Sequence, residues 1–172
     1  MPIIPDDKDW TWVLSTPCPE CGFDAATVTP ATVPGSVLNM LPRWRAVLRR
    51  QDVDIRPNEH TWSPLEYACH VRDVFTLFDQ RLGLMLREED ARFADWDQDK
   101  AAIDGNYSAA DPAEVSTQLL SEGEQIAASF AGVSESEWPR TGVRSNGSTF
   151  TVLTFSQYFL HDVVHHLHDV DG

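Results

Sequence analysis

The stretch SPLEYACHVRDVFTLFDQRLGLMLR, residues 63–87, decides the fold of this chain. It opens with a strong helix-start signal: Ser63 suits the N-cap, Pro64 the first helical position, and Glu66 completes a capping box. Apolar residues then recur at the spacing of one helix face, namely Val71, Val74, Phe78, Leu82 and Met85. The pattern predicts one long amphipathic helix that must pack on other helices.

Three further segments carry helical patterns of the same kind. One spans about residues 34–50 and contains Pro42, which predicts a kink or a later start. Another begins at Asp111, which is followed by a proline, and its apolar stripe runs through Phe130. The last covers about residues 149–170 and is apolar on nearly every side, which predicts that it is buried on most sides.

These segments predict an all-α protein, a four-helix bundle, because strand signals are few and amphipathic helices must bury their stripes together. The bundle domain is expected at residues 34–172. Residues 1–33 hold five prolines and no sustained helical period, which predicts an irregular N-terminal arm packed on the bundle. The connection over about residues 89–110 is long enough for a crossover.

Composition narrows the class of protein. A length of 172 residues suits one domain, and 42% hydrophobic with 23% charged residues is typical of a globular chain. A net charge of −14 argues against nucleic acid or an anionic membrane as a partner. We find no apolar leader, no long apolar run, and only three cysteines, so we expect a cytoplasmic protein without a disulfide framework.

Four histidines lie in HDVVHHLH, residues 161–168. His161 and His165 are four residues apart, so on a helix they project about 40° from each other and can reach one metal ion. His168 lies one turn further on that face, whereas His166 points away. The alternative is that such histidines only interact with the helix dipole or are exposed. A third ligand must come from another helix, and His70 on the 63–87 helix is the candidate.

Two segments together resemble a known family. TWSPLEYACHVRDVF, residues 61–75, followed by YFLHDVVHHLHDV, residues 158–170, resembles the DinB-like superfamily, which includes mycothiol-dependent maleylpyruvate isomerase and the bacillithiol transferases. The resemblance covers roughly residues 34–170. The family pattern has a histidine in the second helix and a His-x-x-x-His pair in the fourth, and His70, His161 and His165 stand at those positions.

The resemblance implies an up-up-down-down bundle that holds one divalent transition metal ion, zinc or nickel, between His70, His161 and His165. It also implies an open coordination position, which suits a catalytic site. The expected function is transfer of a low-molecular-weight thiol such as mycothiol to an electrophilic substrate, with a homodimer possible. A metal-dependent hydrolase and a non-catalytic, stress-related metal-binding protein are the alternatives, and no catalytic side chain is assigned.

Hydrolysis would require a carboxylate base, and Glu66 and Asp73 lie one turn either side of His70. Both could instead orient a ligand or be solvated charges. The pair Cys18 and Cys21 admits three readings: half of a zinc knuckle completed by histidine or a second subunit, a redox pair, or a tight turn. Because the family pattern lacks the arm, we expect both cysteines to lie outside the histidine site.

Overall fold

Across residue 3 and residues 9–172, which the computed structural model describes, the chain forms five α-helices and one small sheet. The helices are α1 (Val33–Val47), α2 (Pro64–Arg87), α3 (Gln98–Asp104), α4 (Pro112–Ala131) and α5 (Val152–Asp169). The strands are β1 (Ala91–Phe93), β2 (Thr141–Arg144) and β3 (Thr149–Thr151). Short 3-10 helices cover Trp10–Leu14, Ala25–Thr27 and Tyr107–Ala109.

The bundle consists of α1, α2, α4 and α5. The predicted capping box starts α2, where the Glu66 backbone N–H donates to Ser63 Oγ over 3.2 Å. In return, the Ser63 backbone N–H donates to Glu66 Oε2 over 2.8 Å. Asp111 caps α4 in a similar way, accepting from two backbone N–H groups. Local sequence therefore fixes where the two helices begin, as predicted.

The core lies between these four helices, with α4 packed on both α1 and α2. Helix α4 lies close to α1 at Gly123, where an added Cβ would be only 2.4 Å from Leu41 Cδ2. On α5, the fully buried ring of Phe159 contacts three other phenylalanines: Phe75, Phe78 and Phe130. This aromatic cluster holds α5 against α2, the arrangement on which the candidate site depends.

The all-α prediction is wrong in one respect, since the chain also forms a three-stranded sheet in the order β1-β2-β3. Strand β1 pairs parallel to β2, and β2 pairs antiparallel to β3. Each strand is only three or four residues long, too short to show the alternation by which a strand is recognised. The sheet joins the crossover after α2 to the start of α5, where Thr151 serves as N-cap.

The N-terminal arm packs on α5. Val13, Cys18 and Ala25 of the arm are buried, and Gln157 Nε2 on α5 donates to the carbonyls of Ala25 and Val28 over 3.0 and 3.2 Å. Residues 1–2 and 4–8, part of the predicted arm, lie outside the described residues. Within the described part of the chain, no helix combines the length and apolarity that a membrane span requires.

Glu66 supports the first stability prediction. Its buried carboxylate forms an ion pair with Arg56, which is 28% exposed. A Glu66→Gln variant keeps the capping geometry but loses the charge, and we expect the free energy of unfolding to fall by about 2 kcal/mol. The effect should be smaller than the about 3–5 kcal/mol of a fully buried pair, because water reaches Arg56.

The loss should depend on pH. Burial raises the pKa of Glu66, but hydrogen bonds from Arg56 and the Ser63 backbone outweigh it, so the pKa lies below its ordinary 4.5. A lowered pKa stabilises the fold above the ordinary value, and this stabilisation is lost as the pH falls through the folded value. Urea unfolding at pH 7 and pH 3.5 should therefore show the difference shrinking in acid. Glu124→Gln, at an exposed carboxylate of α4, is the control, and an equal loss in both variants would contradict the role of the pair.

Candidate metal centres

Helix α5 presents two pairs of ligand residues on adjacent faces. Residues four apart share a face, whereas neighbouring residues diverge by about 100°. His161 and His165 form one pair, and Asp162 and His166 form the other. The first pair faces the cysteines of the arm, and the second faces His70 of α2. Two separate clusters of ligand atoms result.

The His70 cluster consists of His70, Asp162 and His166. One ligand atom from each lies within 4.8 Å of the others. Asp162 Oδ1 is 3.4 Å from His70 Nε2 and 3.6 Å from His166 Nε2. His166 Nδ1 lies 3.0 Å from Asp169 Oδ2. This contact leaves His166 Nε2 facing the cluster, which is the way metal-binding histidines are oriented by outer carboxylates.

Protonation in the His70 cluster favours metal binding. Burial raises the pKa of Asp162, but His166 and His70 outweigh this effect and lower the pKa to about 2. Burial lowers the pKa of His70. At neutral pH the first is therefore a carboxylate and the second a neutral imidazole, the forms that bind metal. Asp162 Oδ1 and both ring nitrogens of His70 are buried and find no well-aligned hydrogen-bond partner among the described residues.

An open cleft of about 1220 Å³ is lined by Asp162 and His166 of the His70 cluster and also by His161 and His165. The ring of Trp96 stacks on His70 at 5.3 Å between centroids, and that of Trp62 lies at 5.4 Å. Five aromatic side chains line the cleft: Trp10, Trp62, Tyr67, Trp96 and Tyr158. Most of the charged side chains around it are acidic, with Arg144 and Lys100 as the basic ones. The cleft can therefore hold a small molecule with an apolar or polar uncharged face beside the cluster.

The Cys18 cluster consists of Cys18, Cys21, His161 and His165. Four ligand atoms, one from each residue, lie within 4.8 Å of one another. Cys18 Sγ is 3.7 Å from His165 Nδ1. Burial and the neighbouring Cys18 raise the pKa of Cys21 to about 11, although backbone contacts act the other way.

The structure divides the three predicted histidine ligands between the two clusters. His161 and His165 come together as predicted, but His70 meets Asp162 and His166 instead. That each of the three binds metal stays a prediction. The expectation that Cys18 and Cys21 lie outside the histidine site is wrong, because the arm folds over α5 and places both beside His161 and His165. His168 is exposed.

Asp162 and His166 were not among the ligands predicted from the sequence. The signal was present, since they have the same i, i+4 spacing as His161 and His165, and α5 is apolar on nearly every side. A ligand set restricted to imidazoles leaves out the carboxylate of Asp162. His166 does point away from His161 and His165, but the direction in which it points is that of His70.

Neither carboxylate considered as a base on α2 belongs to a cluster. Glu66 is held by Arg56 and the Ser63 backbone. Asp73 accepts a hydrogen bond from Arg72 Nε over 2.7 Å and another from the Tyr107 hydroxyl. Both side chains are therefore held by partners outside the two clusters.

Comparisons with known proteins agree with this architecture. The model of the DinB superfamily matches residues 38–170. A solved structure, YfiT from Bacillus subtilis, superposes with a TM-score of 0.73 at 14% identity, covering 84% of this chain and 89% of that chain. It is described as a probable metal-dependent hydrolase with an unusual four-helix bundle topology. At that identity the likeness concerns the fold alone. No curated protein sequence matches the chain.

Proposed function

Because the chain belongs to the DinB superfamily, we propose that it is a metal-dependent enzyme acting on a low-molecular-weight thiol. We assign its catalytic ion, zinc or nickel, to the His70 cluster. The observation that carries the proposal is the set of two imidazoles and one carboxylate, mutually within 4.8 Å, beside an aromatic cleft. The donor set fits a divalent ion, since Asp162 Oδ1 and both ring nitrogens of His70 are buried without well-aligned partners among the described residues.

The donor set also fits catalysis. Three protein ligands are typical of catalytic zinc sites, whereas structural sites use four. A divalent ion bound there would supply Lewis acidity and would favour the thiolate form of a substrate thiol. The protein side chains contribute binding and orientation: Asp169 contacts the ring of His166 and orients it, and Trp62 and Trp96 pack against the buried ring of His70.

Thiol chemistry accounts for the cleft better than hydrolysis does. A thiol held as thiolate is itself the nucleophile and needs no separate base. Glu66 and Asp73, the carboxylates on α2 that could serve a hydrolytic reaction, are engaged elsewhere. The aromatic walls would orient the thiol and the electrophile against each other, which is the main contribution a protein makes to such a transfer.

A cobalt-substituted protein provides the test. Adding mycothiol, or a close analogue, should produce a new sulfur-to-metal charge-transfer band and release a proton. This thiol-induced band should be absent in His166→Ala. It should be retained in His168→Ala, because His168 is exposed. No added band across a panel of cellular thiols, in fully metallated protein, would refute the thiol proposal. A non-catalytic metal-binding protein predicts that no transfer to an electrophile follows binding.

A metal-dependent hydrolase is the second candidate. The combination of two histidines and one carboxylate is also the ligand set of zinc peptidases, and YfiT, which shares the fold, is described as a probable metal-dependent hydrolase. This candidate predicts that thiols leave the cobalt spectrum unchanged. It also predicts that metal-loaded protein cleaves esters or amides, and that His166→Ala abolishes this cleavage.

A further inference from the structure

We infer that Cys18, Cys21, His161 and His165 form a second metal site, a closed structural zinc site that fastens the N-terminal arm to α5. The ion would lie between two thiolates from the arm and two imidazoles from the helix. This site is separate from the His70 cluster, and it does not depend on the proposed reaction.

The donor set specifies the metal. Two sulfur and two nitrogen ligands in tetrahedral arrangement are typical of structural zinc. Four ligand atoms within 4.8 Å of one another are close enough to share one ion. Cys18 Sγ lies 3.7 Å from His165 Nδ1. Two ligand atoms bound at about 2.0–2.3 Å to one tetrahedral ion would have about this separation.

The arm is folded so that both thiols reach α5. The Cys18 backbone N–H donates to the Phe23 carbonyl over 2.8 Å, and the Gly22 N–H donates back to the Cys18 carbonyl over 2.9 Å. Gly22 has a φ of +75°, a conformation that glycine adopts without strain. The turn between Cys18 and Phe23 is thereby closed on itself, with both cysteines on the side of His161 and His165.

Outer contacts orient the imidazoles for this role. His165 Nε2 lies 3.3 Å from Glu20 Oε2 and 3.7 Å from Asp169 Oδ1. These carboxylates favour a proton on Nε2 and leave the Nδ1 lone pair directed at Cys18. His161 Nε2 is buried without a hydrogen-bond partner among the residues described. A bound ion would satisfy a nitrogen of this ring, which otherwise carries the cost of an unpaired polar atom.

Aromatic rings pack against both imidazoles of the site, and its four protein ligands distinguish it from a catalytic centre. The ring of Trp10 lies 5.4 Å from that of His161 and 5.3 Å from that of His165, and Phe23 lies 5.6 Å from His161. Cys18 is 2% exposed. With four protein ligands, no coordination position remains for a substrate, although both imidazoles also line the cleft. The site therefore holds the arm in place.

The zinc site also affects the position of the proposed catalytic ligands Asp162 and His166. Asp162 and His166 each directly follow a residue of the Cys18 cluster in α5, so an ion bound to His161 and His165 fixes the rotation of this helix. It also fixes the arm residue Trp10, which lines the cleft. The zinc site thus acts as a positioning element for the cleft.

The test uses the full chain, purified without a histidine tag or chelator. Elemental analysis should find about two ions per chain. The Cys18→Ser, Cys21→Ser double variant should lose one equivalent, and the complementary His166→Ala variant should lose the other. In cobalt-substituted wild type without added thiol, the two cysteines should give a sulfur-to-metal charge-transfer band. This band should persist in His166→Ala and in Cys69→Ser, whose thiol lies on α2 outside both clusters.

If the double variant does not fold, the inference can still be tested on the wild-type protein. Alkylation followed by mass spectrometry should find Cys18 and Cys21 protected in the zinc-loaded protein and modified after chelation. Rapid alkylation of both cysteines in zinc-loaded protein would overturn the inference, as would a cobalt spectrum without a thiolate band. If metal is lost in His166→Ala but not in the double cysteine variant, the cysteines do not hold a separate ion and the inference is wrong. If added thiols produce no new band, the proposed function is wrong, whereas the zinc site is unaffected.

Discussion

A His70→Ala variant should bind its ion at the His70 cluster about a hundredfold or more weakly, because even an outer-shell partner contributes 10–100-fold to metal affinity. His70 supplies one of the three donors of this cluster, so the variant loses a third of its protein ligands. The Cys18 cluster should keep its ion. Competition with a chromophoric chelator in zinc-loaded protein measures both affinities in one titration, since the two ions should be released in separate steps.

Two variants control this result. His60→Ala removes an imidazole that also borders the cleft but is exposed, and it should leave both affinities unchanged. His166→Ala removes a second donor from the same cluster and should match His70→Ala. If His70→Ala and wild type release metal identically, His70 is a core histidine and the ion does not bind in this cluster.

The helices were predictable because the signals that define them are local. The capping residues Ser63 and Asp111 act within three residues of their partners, and the apolar stripes repeat along one segment. The three short strands were not predictable for the complementary reason. Their pairing joins β1 to β2 across some fifty residues, and no strand is long enough to carry a pattern of its own.

The site was predictable only in part. The spacing of His161 and His165 shows that they share a face, but it does not show what lies opposite. Cys18 meets His165 across 147 positions of the chain, and this contact depends on how the arm folds over α5. The pairing of His70 with Asp162 and His166 depends likewise on the rotation of α5 against α2. Such a rotation is set by core packing, which the one-dimensional pattern does not specify.

Core packing around α5 therefore predicts the largest effect on stability. Phe159 is 0% exposed and contacts the rings of Phe75, Phe78 and Phe130 at centroid distances of 5.9, 5.3 and 5.7 Å. Phe159→Ala should lower the free energy of unfolding by about 3–5 kcal/mol, because it removes buried apolar surface and leaves a cavity. For a chain of this size, the melting temperature should fall by roughly 6–20 °C, as followed by circular dichroism.

Leu38→Ala is the control, since Leu38 is 45% exposed and its truncation should change the melting temperature little. The same Phe159→Ala protein, studied well below its melting temperature, also tests the arrangement of the two clusters. Because α5 carries ligands of both, loosening its contact with α2 should weaken both ions together, whereas each ligand variant should weaken one. If the metal affinity of only one cluster falls, the packing of α5 against α2 does not position the ligands of both clusters.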